Sequence, residues 1–375
     1  MKKLIYADNA ATTKLNIDAF EAMKPFLLDN FGNASQPYSL ARIPKKALKE
    51  ARETIARCIN AEPDEIYFTS GGTESDNWAI LGHDFACTKQ PVVVTSQVEH
   101  HAVLNPCKRL EEAGFTIAYL PVSNEGIVSV EDLKKVLSID TRLVSIMYVN
   151  NEIGTVQPIK ALCKVAHENN VLFHTDAVQA VGHIKIDVKD LQIDLLSASA
   201  HKFNGPKGIG FLYVKKGTKI KPLMLGGMQE FGCRAGTENI AAIVGMAVAL
   251  KQHCDMIEAD QEHIKSLENA FFNTLSTSSL EYVRNGHAHI PGNISISFKN
   301  ADGEMLLHRL DLMGIQVSTG AACDSVNTQV SHVLKAIKLE EEYAKGTIRI
   351  SFSTENTVDE AIQIANALIK IIHNS

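Results

Sequence analysis

A lysine and an aspartate, each placed after an apolar segment, could act together on an aldehyde cofactor. Lys202 lies in a run of small residues, 197–208, between apolar segments at residues 193–196 and 209–214. Burial lowers the pKa of a lysine, and the neutral amine can then form a Schiff base with a carbonyl group. A solvated lysine in a surface turn is the alternative, which this stretch alone leaves open.

The aspartate, Asp176, follows the apolar residues 171–173 and precedes the lysine by 26 positions. A carboxylate buried there without a partner is costly, so it requires a cation such as a protonated pyridine nitrogen or an arginine. Residues 70–73, Ser-Gly-Gly-Thr, could bind a phosphate through backbone N–H groups, although Gly-Gly before a helix is common without a ligand. Together, the acid, the lysine and the glycine loop are the groups that pyridoxal phosphate (PLP) requires.

Two other apolar segments also end in polar groups that could orient a ligand. His100 and His101 follow residues 92–95, and Asn151 follows residues 143–149. Adjacent histidines point in different directions and no further ligands accompany them, so we predict no metal site. One imidazole could instead stack on an aromatic ring or move protons near neutral pH.

The segments that position these residues alternate between apolar runs and amphipathic helices. The runs are continuously apolar, which predicts strands covered on both faces, in a mostly parallel sheet of an α/β domain. Ligands of such sheets bind at the carboxyl ends of the strands. Beyond residue 237 the pattern is that of an α+β domain, which begins with an apolar helix over residues 240–254 that leads into a charged amphipathic helix. We expect a large PLP-binding domain over residues 15–256 and a small domain formed by residues 1–14 and 257–375.

Composition is that of an ordinary globular protein, with 45% hydrophobic and 21% charged residues. The net charge of −6 gives no sign of a nucleic-acid or membrane-surface partner. The longest apolar run, residues 240–250, is shorter than the roughly 20 residues that span a bilayer. The acid at position 8 comes too early for a signal peptide. We therefore expect a cytoplasmic protein whose seven cysteines are mostly reduced.

Six motifs, in order and with compatible spacing, resemble those of cysteine desulfurases, which are fold-type I PLP enzymes of the class V aminotransferase group. They are SGGTESDN at residues 70–77, EH at 99–100, VNNEIG at 149–154, DAVQ at 176–179, SAHK at 199–202 and RAGT at 234–237. The resemblance extends from Tyr6 to about Phe352. It implies a large PLP domain with a mostly parallel seven-stranded sheet, a smaller α+β domain and a homodimer.

The resemblance also implies an activity. Such an enzyme takes sulfur from L-cysteine as a persulfide on its own cysteine and releases L-alanine. The sulfur then passes to an iron–sulfur scaffold protein or another acceptor, for cluster assembly or for thiolation of tRNA or cofactors. The nucleophile would be Cys323, in VSTGAAC at residues 317–323. Its small, polar surroundings suit a mobile, exposed thiolate.

The resemblance assigns roles to the remaining motif residues. Lys202 would form the Schiff base, Asp176 would hold the pyridinium nitrogen, and His100 would stack on the ring and assist proton transfer. Gln179 would face the phenolic oxygen of PLP. The residues expected to hold the substrate carboxylate are Asn151 and Arg349. Those expected to bind the PLP phosphate are Gly72, Thr73, Ser199, His201 and the partner subunit's Thr237.

Two departures from the family pattern concern cysteines. Asp324 follows Cys323 directly and tends to raise the pKa of the thiol, and the family's Ser-Leu-Glu-Pro-Ser-like run is replaced at residues 327–331. These changes put the usual sulfur acceptor in doubt. Cys233 stands where the family has a bulky or basic residue. It is either a neutral substitution or an auxiliary thiol that accepts sulfur or selenium.

Three other functions remain open from the sequence. A selenocysteine lyase would share every motif. A class V aminotransferase would need a keto-acid partner and no nucleophilic cysteine. A non-catalytic sulfur carrier would bind no PLP, which the pair of Lys202 and Asp176 argues against.

Overall fold

The structure is a computed structural model that describes residues 4–83, 90–286, 289–319 and 330–374. The strands in chain order are β1 (Ile5–Tyr6), β2 (Ile66–Thr69), β3 (Val92–Ser96), β4 (Thr116–Leu120), β5 (Thr141–Ser145), β6 (Leu172–Asp176), β7 (Leu195–Ser199), β8 (Gly210–Val214), β9 (Tyr282–Asn285), β10 (Asn293–Phe298), β11 (Ile315–Gln316) and β12 (Thr347–Ser351).

The described residues also form helices, which pack beside these strands. They are α1 (Ile17–Leu28), α2 (Arg42–Cys58), α3 (Gly72–Leu81), α4 (His101–Glu112), α5 (Val130–Val136), α6 (Ile159–Glu168), α7 (Val188–Leu191), α8 (Ile240–Leu275), α9 (Gly303–Leu312), α10 (His332–Ala336), α11 (Glu341–Ala344) and α12 (Val358–His373).

The largest sheet contains seven strands in the order β2-β8-β7-β6-β5-β3-β4. Strands β3 to β7 pair in parallel, and β8 runs antiparallel to both of its neighbours, β2 and β7. The predicted α/β class with a mostly parallel seven-stranded sheet is therefore confirmed.

Both faces of this sheet are covered, as the continuously apolar strands predict. One face packs on helices α3 and α4 through a cluster that includes Val93, Leu143, Leu195, Leu212 and Trp78. The opposite face packs on α2, α6 and α8 through a cluster that includes Val94, Val144, Phe173, Leu196 and Met246. The carboxyl ends of the strands stay open between these layers, and the polar motifs lie there.

The C-terminal part of the chain forms an antiparallel sheet in the order β12-β10-β9, with β1 paired in parallel to β11 nearby. Its core contains Ile5 from the N-terminus together with residues of α9, α12 and the end of α8. The N-terminal strand therefore packs with the C-terminal elements.

Helix α8 differs from the sequence expectation of two consecutive helices. It is one continuous helix of 36 residues, because no glycine or proline interrupts the chain between residues 246 and 285. Its first half is buried in the core beneath the large sheet, and Leu267, Phe271 and Leu275 are buried in the C-terminal core. The domain boundary near residue 256 falls within this helix and stays a prediction.

Helix α8 is also the one helix among the described residues that is long and apolar enough to cross a membrane, judged by length and composition. Several of its apolar side chains, including Met246, Leu250 and Phe271, are buried in the two protein cores. Burial within the protein accounts for this composition.

Candidate active site

A cavity of about 550 Å³ opens at the carboxyl ends of β6 and β7. Its size is typical of a site for a small molecule. The walls come from the chain after β2, β3, β5, β6 and β7, closed by the N-terminal residues Ala10, Ala11 and Thr12 and by Arg349 of β12. The two parts of the chain thus meet at this cavity.

Most of the predicted site residues lie around this one cavity. Those that line it are Gly72, Thr73, His100, Asn151, Asp176, Gln179, Ser199, His201, Lys202 and Arg349. Thr237 is exposed and does not line the cavity, so its expected action in a second subunit stays a prediction. Cys323 lies outside the described residues. The roles of all of these side chains stay predictions.

Lys202 projects toward the N-terminal loop. Strand β7 continues to Ser199 because it pairs with β8, three residues further than the sequence predicts, and a 3₁₀ turn over Ala200–Lys202 follows. The turn is tight, since a Cβ atom added to Gly205 would lie 2.8 Å from the Cβ of Ala200. The Nζ of Lys202 donates hydrogen bonds to the carbonyl oxygens of Ala10 at 2.5 Å and Ala11 at 2.9 Å. Every residue has a backbone carbonyl, so residue types do not indicate this contact, and the sequence did not predict either partner.

Asp176 is the last residue of β6 and is 5% exposed. Its Oδ1 accepts a hydrogen bond from the Val178 amide at 2.9 Å. Burial raises the pKa of Asp176, although His100, the amide and Lys202 act in the opposite direction. A cation bound beside it would lower that pKa and make the carboxylate the stable form. The protonated ring nitrogen of PLP is a cation of this kind.

Two further acids lie buried near Asp176. Asp76, on α3, is 1% exposed, and its Oδ1 lies 3.7 Å from Nε2 of His174. Burial, and then repulsion from Asp176, raises the pKa of Asp76 well above its ordinary value. The Glu99 carboxyl accepts hydrogen bonds from Ser96 and from the Met147 amide, but burial raises its pKa to about 8. Glu99 therefore holds its proton at neutral pH, and burial shifts the pKa of Asp76 in the same direction.

His100 caps helix α4 at the edge of the cavity. Its Nδ1 accepts the amide hydrogen of Ala102 at 3.1 Å, so the neutral ring carries its proton on Nε2. Burial lowers the pKa of His100, which makes this neutral form the dominant one at pH 7. A neutral imidazole can stack on an aromatic ring and can also exchange a proton.

The start of α3 has the features of a phosphate site. Gly71 precedes the helix with φ of +148°, a conformation that other residues rarely adopt, and no described side chain caps the helix there. The first N–H groups of α3 can therefore bind an anion. A Cβ atom on Gly71 would lie 3.4 Å from Ser199 Oγ, so the lack of a side chain leaves room beside that hydroxyl. This cradle, Asp176 and Lys202 together fit PLP.

Arg349 lies at the other side of the cavity and is 3% exposed. Its Nη2 donates to Oδ1 of Asp8 at 2.7 Å, and its Nη1 donates to the carbonyl oxygen of Asn151 at 3.0 Å. The two residues expected to hold a substrate carboxylate are therefore in direct contact. Asp8 was missed, because the N-terminal loop alone does not indicate which cation its carboxylate pairs with.

The chain approaches the predicted nucleophile from beside Arg349. Ser318 and Arg349 exchange backbone hydrogen bonds, at 3.0 Å and 2.6 Å. Residues 320–329, which include Cys323, begin two positions later. The described chain therefore lies beside Arg349 at residue 318, two positions before the segment that is not described.

Cys233 does not line the cavity. Its Sγ lies 3.9 Å from the carbonyl oxygen of Phe231, and burial, followed by Glu230, raises the pKa of the thiol. A protonated thiol is a weak nucleophile, which favours a neutral substitution at this position. The auxiliary role stays a hypothesis.

Comparison with known proteins identifies the class to which this fold and site belong. The aminotransferase class-V family matches residues 5–364, and the chain belongs to that family. Similar relatives within this family are cysteine desulfurases. The cysteine desulfurase IscS of Dictyoglomus turgidum is 49% identical over 99% of this chain and 95% of the relative, and that of Methanosarcina thermophila is 45% identical over 99% and 93%.

Solved structures agree with this assignment. A NifS-like protein superimposes with a TM-score of 0.93 at 34% identity, over the full length of both chains. A structure described as SspA in complex with cysteine has a TM-score of 0.84 at 37% identity, over 94% of this chain and all of that one. The predicted family is therefore confirmed, as is PLP as the cofactor, since enzymes of this family depend on PLP.

Proposed function

We propose that this protein is a PLP-dependent cysteine desulfurase that moves sulfur from L-cysteine to Cys323 and releases L-alanine. The observation that carries the proposal is the single cavity that holds Lys202, Asp176 and Arg349. The desulfurase relatives, which match almost the whole chain, support the activity. The structural neighbour described as a complex with cysteine supports the substrate.

Each group in the cavity has a task in this reaction. Bound PLP supplies an electron sink for the negative charge that forms at the substrate α-carbon. The carboxylate of Asp176 keeps the ring nitrogen protonated, and the amine of Lys202 takes and returns the α-proton. Arg349 holds the substrate carboxylate through charge-assisted hydrogen bonds, and the Asn151 carbonyl orients the guanidinium.

The phosphate end of the cofactor would be held by Thr73, Ser199 and the first N–H groups of α3. His201 adds a neutral imidazole there, because burial lowers its pKa to about 4. A neutral ring can donate one hydrogen bond to a phosphate oxygen without an added charge. His100 would stack on the cofactor ring.

We propose further that the enzyme acts as a homodimer in the cytoplasm. A loop beside the site exposes large apolar side chains, with Leu225 85%, Met228 81% and Phe231 61% exposed. Exposed apolar surface of this kind marks a protein contact. The partner subunit's Thr237 would then reach the phosphate. An iron–sulfur scaffold or a similar protein would accept the sulfur from Cys323.

One experiment tests the activity. The purified protein is incubated with L-cysteine, and alanine and cysteine-bound persulfide are measured together. We expect one persulfide per alanine, located on residue 323 by peptide mass spectrometry. Cys323→Ser should stop persulfide formation, whereas the control Cys233→Ala should leave it unchanged. Alanine formation from cysteine by Cys323→Ser at the wild-type rate would refute the assignment.

The same assay separates this activity from a related one. Selenocysteine is supplied in place of cysteine, and the two rates of alanine formation are compared. A desulfurase acts on cysteine efficiently, while a selenocysteine lyase acts on selenocysteine alone.

A further inference from the structure

A carboxylate stands at the place where the phosphate is expected. Glu74 lies in the first turn of α3 and lines the cavity beside Gly72 and Thr73. Its Oε2 accepts the amide hydrogen of Ser70 at 2.7 Å. A negative side chain there would repel a phosphate dianion bound to the same helix end. The proposed cofactor site therefore needs something that cancels this charge.

The cancelling charge comes from Arg234. Its Nε donates to Oε1 of Glu74 at 2.8 Å and its Nη2 donates to Oε2 at 3.0 Å, a bidentate contact. Both side chains are largely buried, with 19% of the arginine and 11% of the glutamate exposed. Burial raises the pKa of Glu74, but hydrogen bonds from Arg234 and Ser70 outweigh it and lower the pKa overall. Glu74 is therefore ionised, and the positive charge of Arg234 balances its negative charge.

The loop that carries Arg234 is held in an unusual backbone conformation. Glu230 and Phe231 have φ angles of +46° and +59°, which cost energy for residues other than glycine. A buried ion pair maintains this turn, since Arg52 donates to both oxygens of Glu230 at 2.6 and 2.8 Å. The Phe68 amide donates to the same carboxylate at 2.8 Å, which ties the loop to β2. Strand β2 leads directly into the phosphate cradle.

We propose that Arg234 is a positioning residue for the cofactor phosphate, acting through Glu74 to leave the start of α3 without net negative charge. This inference rests on the proposed PLP function. The fixed loop matters because it places the guanidinium before the cofactor arrives. Arg234 itself does not line the cavity, so its effect passes through the glutamate.

The test measures binding of PLP to the apoenzyme by fluorescence titration, with pyridoxal, which lacks the phosphate, as a second probe. Arg234→Met leaves Glu74 unneutralised, and we expect PLP to bind about 10- to 100-fold more weakly while pyridoxal binding is unchanged. The double variant Glu74→Gln with Arg234→Met removes both charges and should restore PLP affinity to within a few-fold of wild type. Lys160→Met, which breaks an exposed ion pair elsewhere, is the matched control.

The outcomes separate an electrostatic role from a structural one. If the double variant binds PLP as weakly as Arg234→Met, or if pyridoxal binding falls equally, the inference is wrong. Should Arg234→Met fail to fold, Glu74→Gln alone decides, because it should bind PLP at least as tightly as wild type. A wild-type protein that shows no PLP absorbance dependent on Lys202 would instead refute the proposed function itself.

Discussion

The carboxyl groups beneath the cavity and those at its edge carry charge in opposite ways. Beneath the cavity, Asp76 and Glu99 have raised pKa values because they are buried, and no described arginine or lysine pairs with them. At the edge, Glu74 pairs with Arg234 and Asp8 with Arg349. Burial thus favours the protonated form of the carboxyl groups in one region, whereas those in the other region form ion pairs with arginines.

This difference bears on which of the three buried carboxyl groups, Asp76, Glu99 or Asp176, carries a negative charge. Three ionised carboxylates in a buried cluster would repel each other strongly. With Glu99 protonated and the pKa of Asp76 raised, Asp176 is the carboxylate that we propose pairs with a cation in the cavity. At the edge, the arginines let carboxylates remain ionised without adding net charge.

The largest effect should come from Asp176. Asp176→Asn removes the charge opposite the ring nitrogen, and we expect alanine formation from cysteine to fall about 10²- to 10³-fold. Asp76→Asn is the matched control, because an amide resembles a protonated acid, and its rate should stay within about threefold of wild type. If Asp76→Asn lowers the rate of alanine formation as much as Asp176→Asn does, Asp76 is ionised. The proposed difference between the two regions would then be wrong.

At the edge, Arg349→Met should raise KM for L-cysteine by about 10- to 100-fold, the value of a lost hydrogen bond between charged groups. The maximal rate should change less, because the reacting atoms are not touched. Steady-state kinetics measure both values. Asp8→Asn keeps the guanidinium, so its KM should rise much less. An unchanged KM for Arg349→Met would show that Arg349 does not bind the substrate carboxylate.

Glu99 predicts a pH dependence of stability. Folding raises its pKa from 4.5 to about 8, so the folded protein keeps a proton that the unfolded chain releases. This stabilisation is complete below pH 4.5 and is lost as the pH rises toward and through 8. The Glu99→Gln variant lacks this titrating group and its pH dependence. Its unfolding free energy should therefore rise relative to that of the wild type between pH 5 and pH 9. Urea denaturation at pH 5, 7 and 9 measures it, and a constant difference would contradict a protonated Glu99.

The smallest effect should come from an ion pair outside both regions. Lys160 and Asp190 lie 2.6 Å apart, but their side chains are 64% and 60% exposed. Lys160→Ala should therefore change the unfolding free energy by no more than about 1 kcal/mol. Thermal or urea unfolding measures this change. A larger loss of unfolding free energy would mean that an ion pair stabilises the protein without burial, so that burial would not be needed to explain the ion pairs at the edge of the cavity.

The sequence predicted the sheet and the residues around the cavity better than it predicted their protonation. Apolar runs located the strands, and small or polar residues after them located Lys202, Asp176 and the glycine loop. The charge of Asp76 and Glu99 depends on depth of burial and on neighbours distant in the chain. The contact of Lys202 with Ala10 and Ala11 depends on backbone oxygens. No residue pattern encodes either, so only the folded chain reveals them.

The family resemblance supplied what local patterns could not, namely the roles of His100, Asn151 and Arg349. Arg349 comes from the C-terminal sheet, almost 150 residues after Lys202, and nothing in its own surroundings indicates a substrate carboxylate. Continuity of α8 was also missed, because the change from apolar to charged residues near residue 256 resembled a break.

Helix α8, 36 residues long, extends for about 54 Å at the usual rise per residue. It enters one core with its first half and the other core with its second. A cut near residue 256 would therefore leave two fragments, each with a severed helix and an exposed apolar surface. Because the helix packs into both cores, the position of Arg349 relative to Lys202 depends on the continuity of this helix.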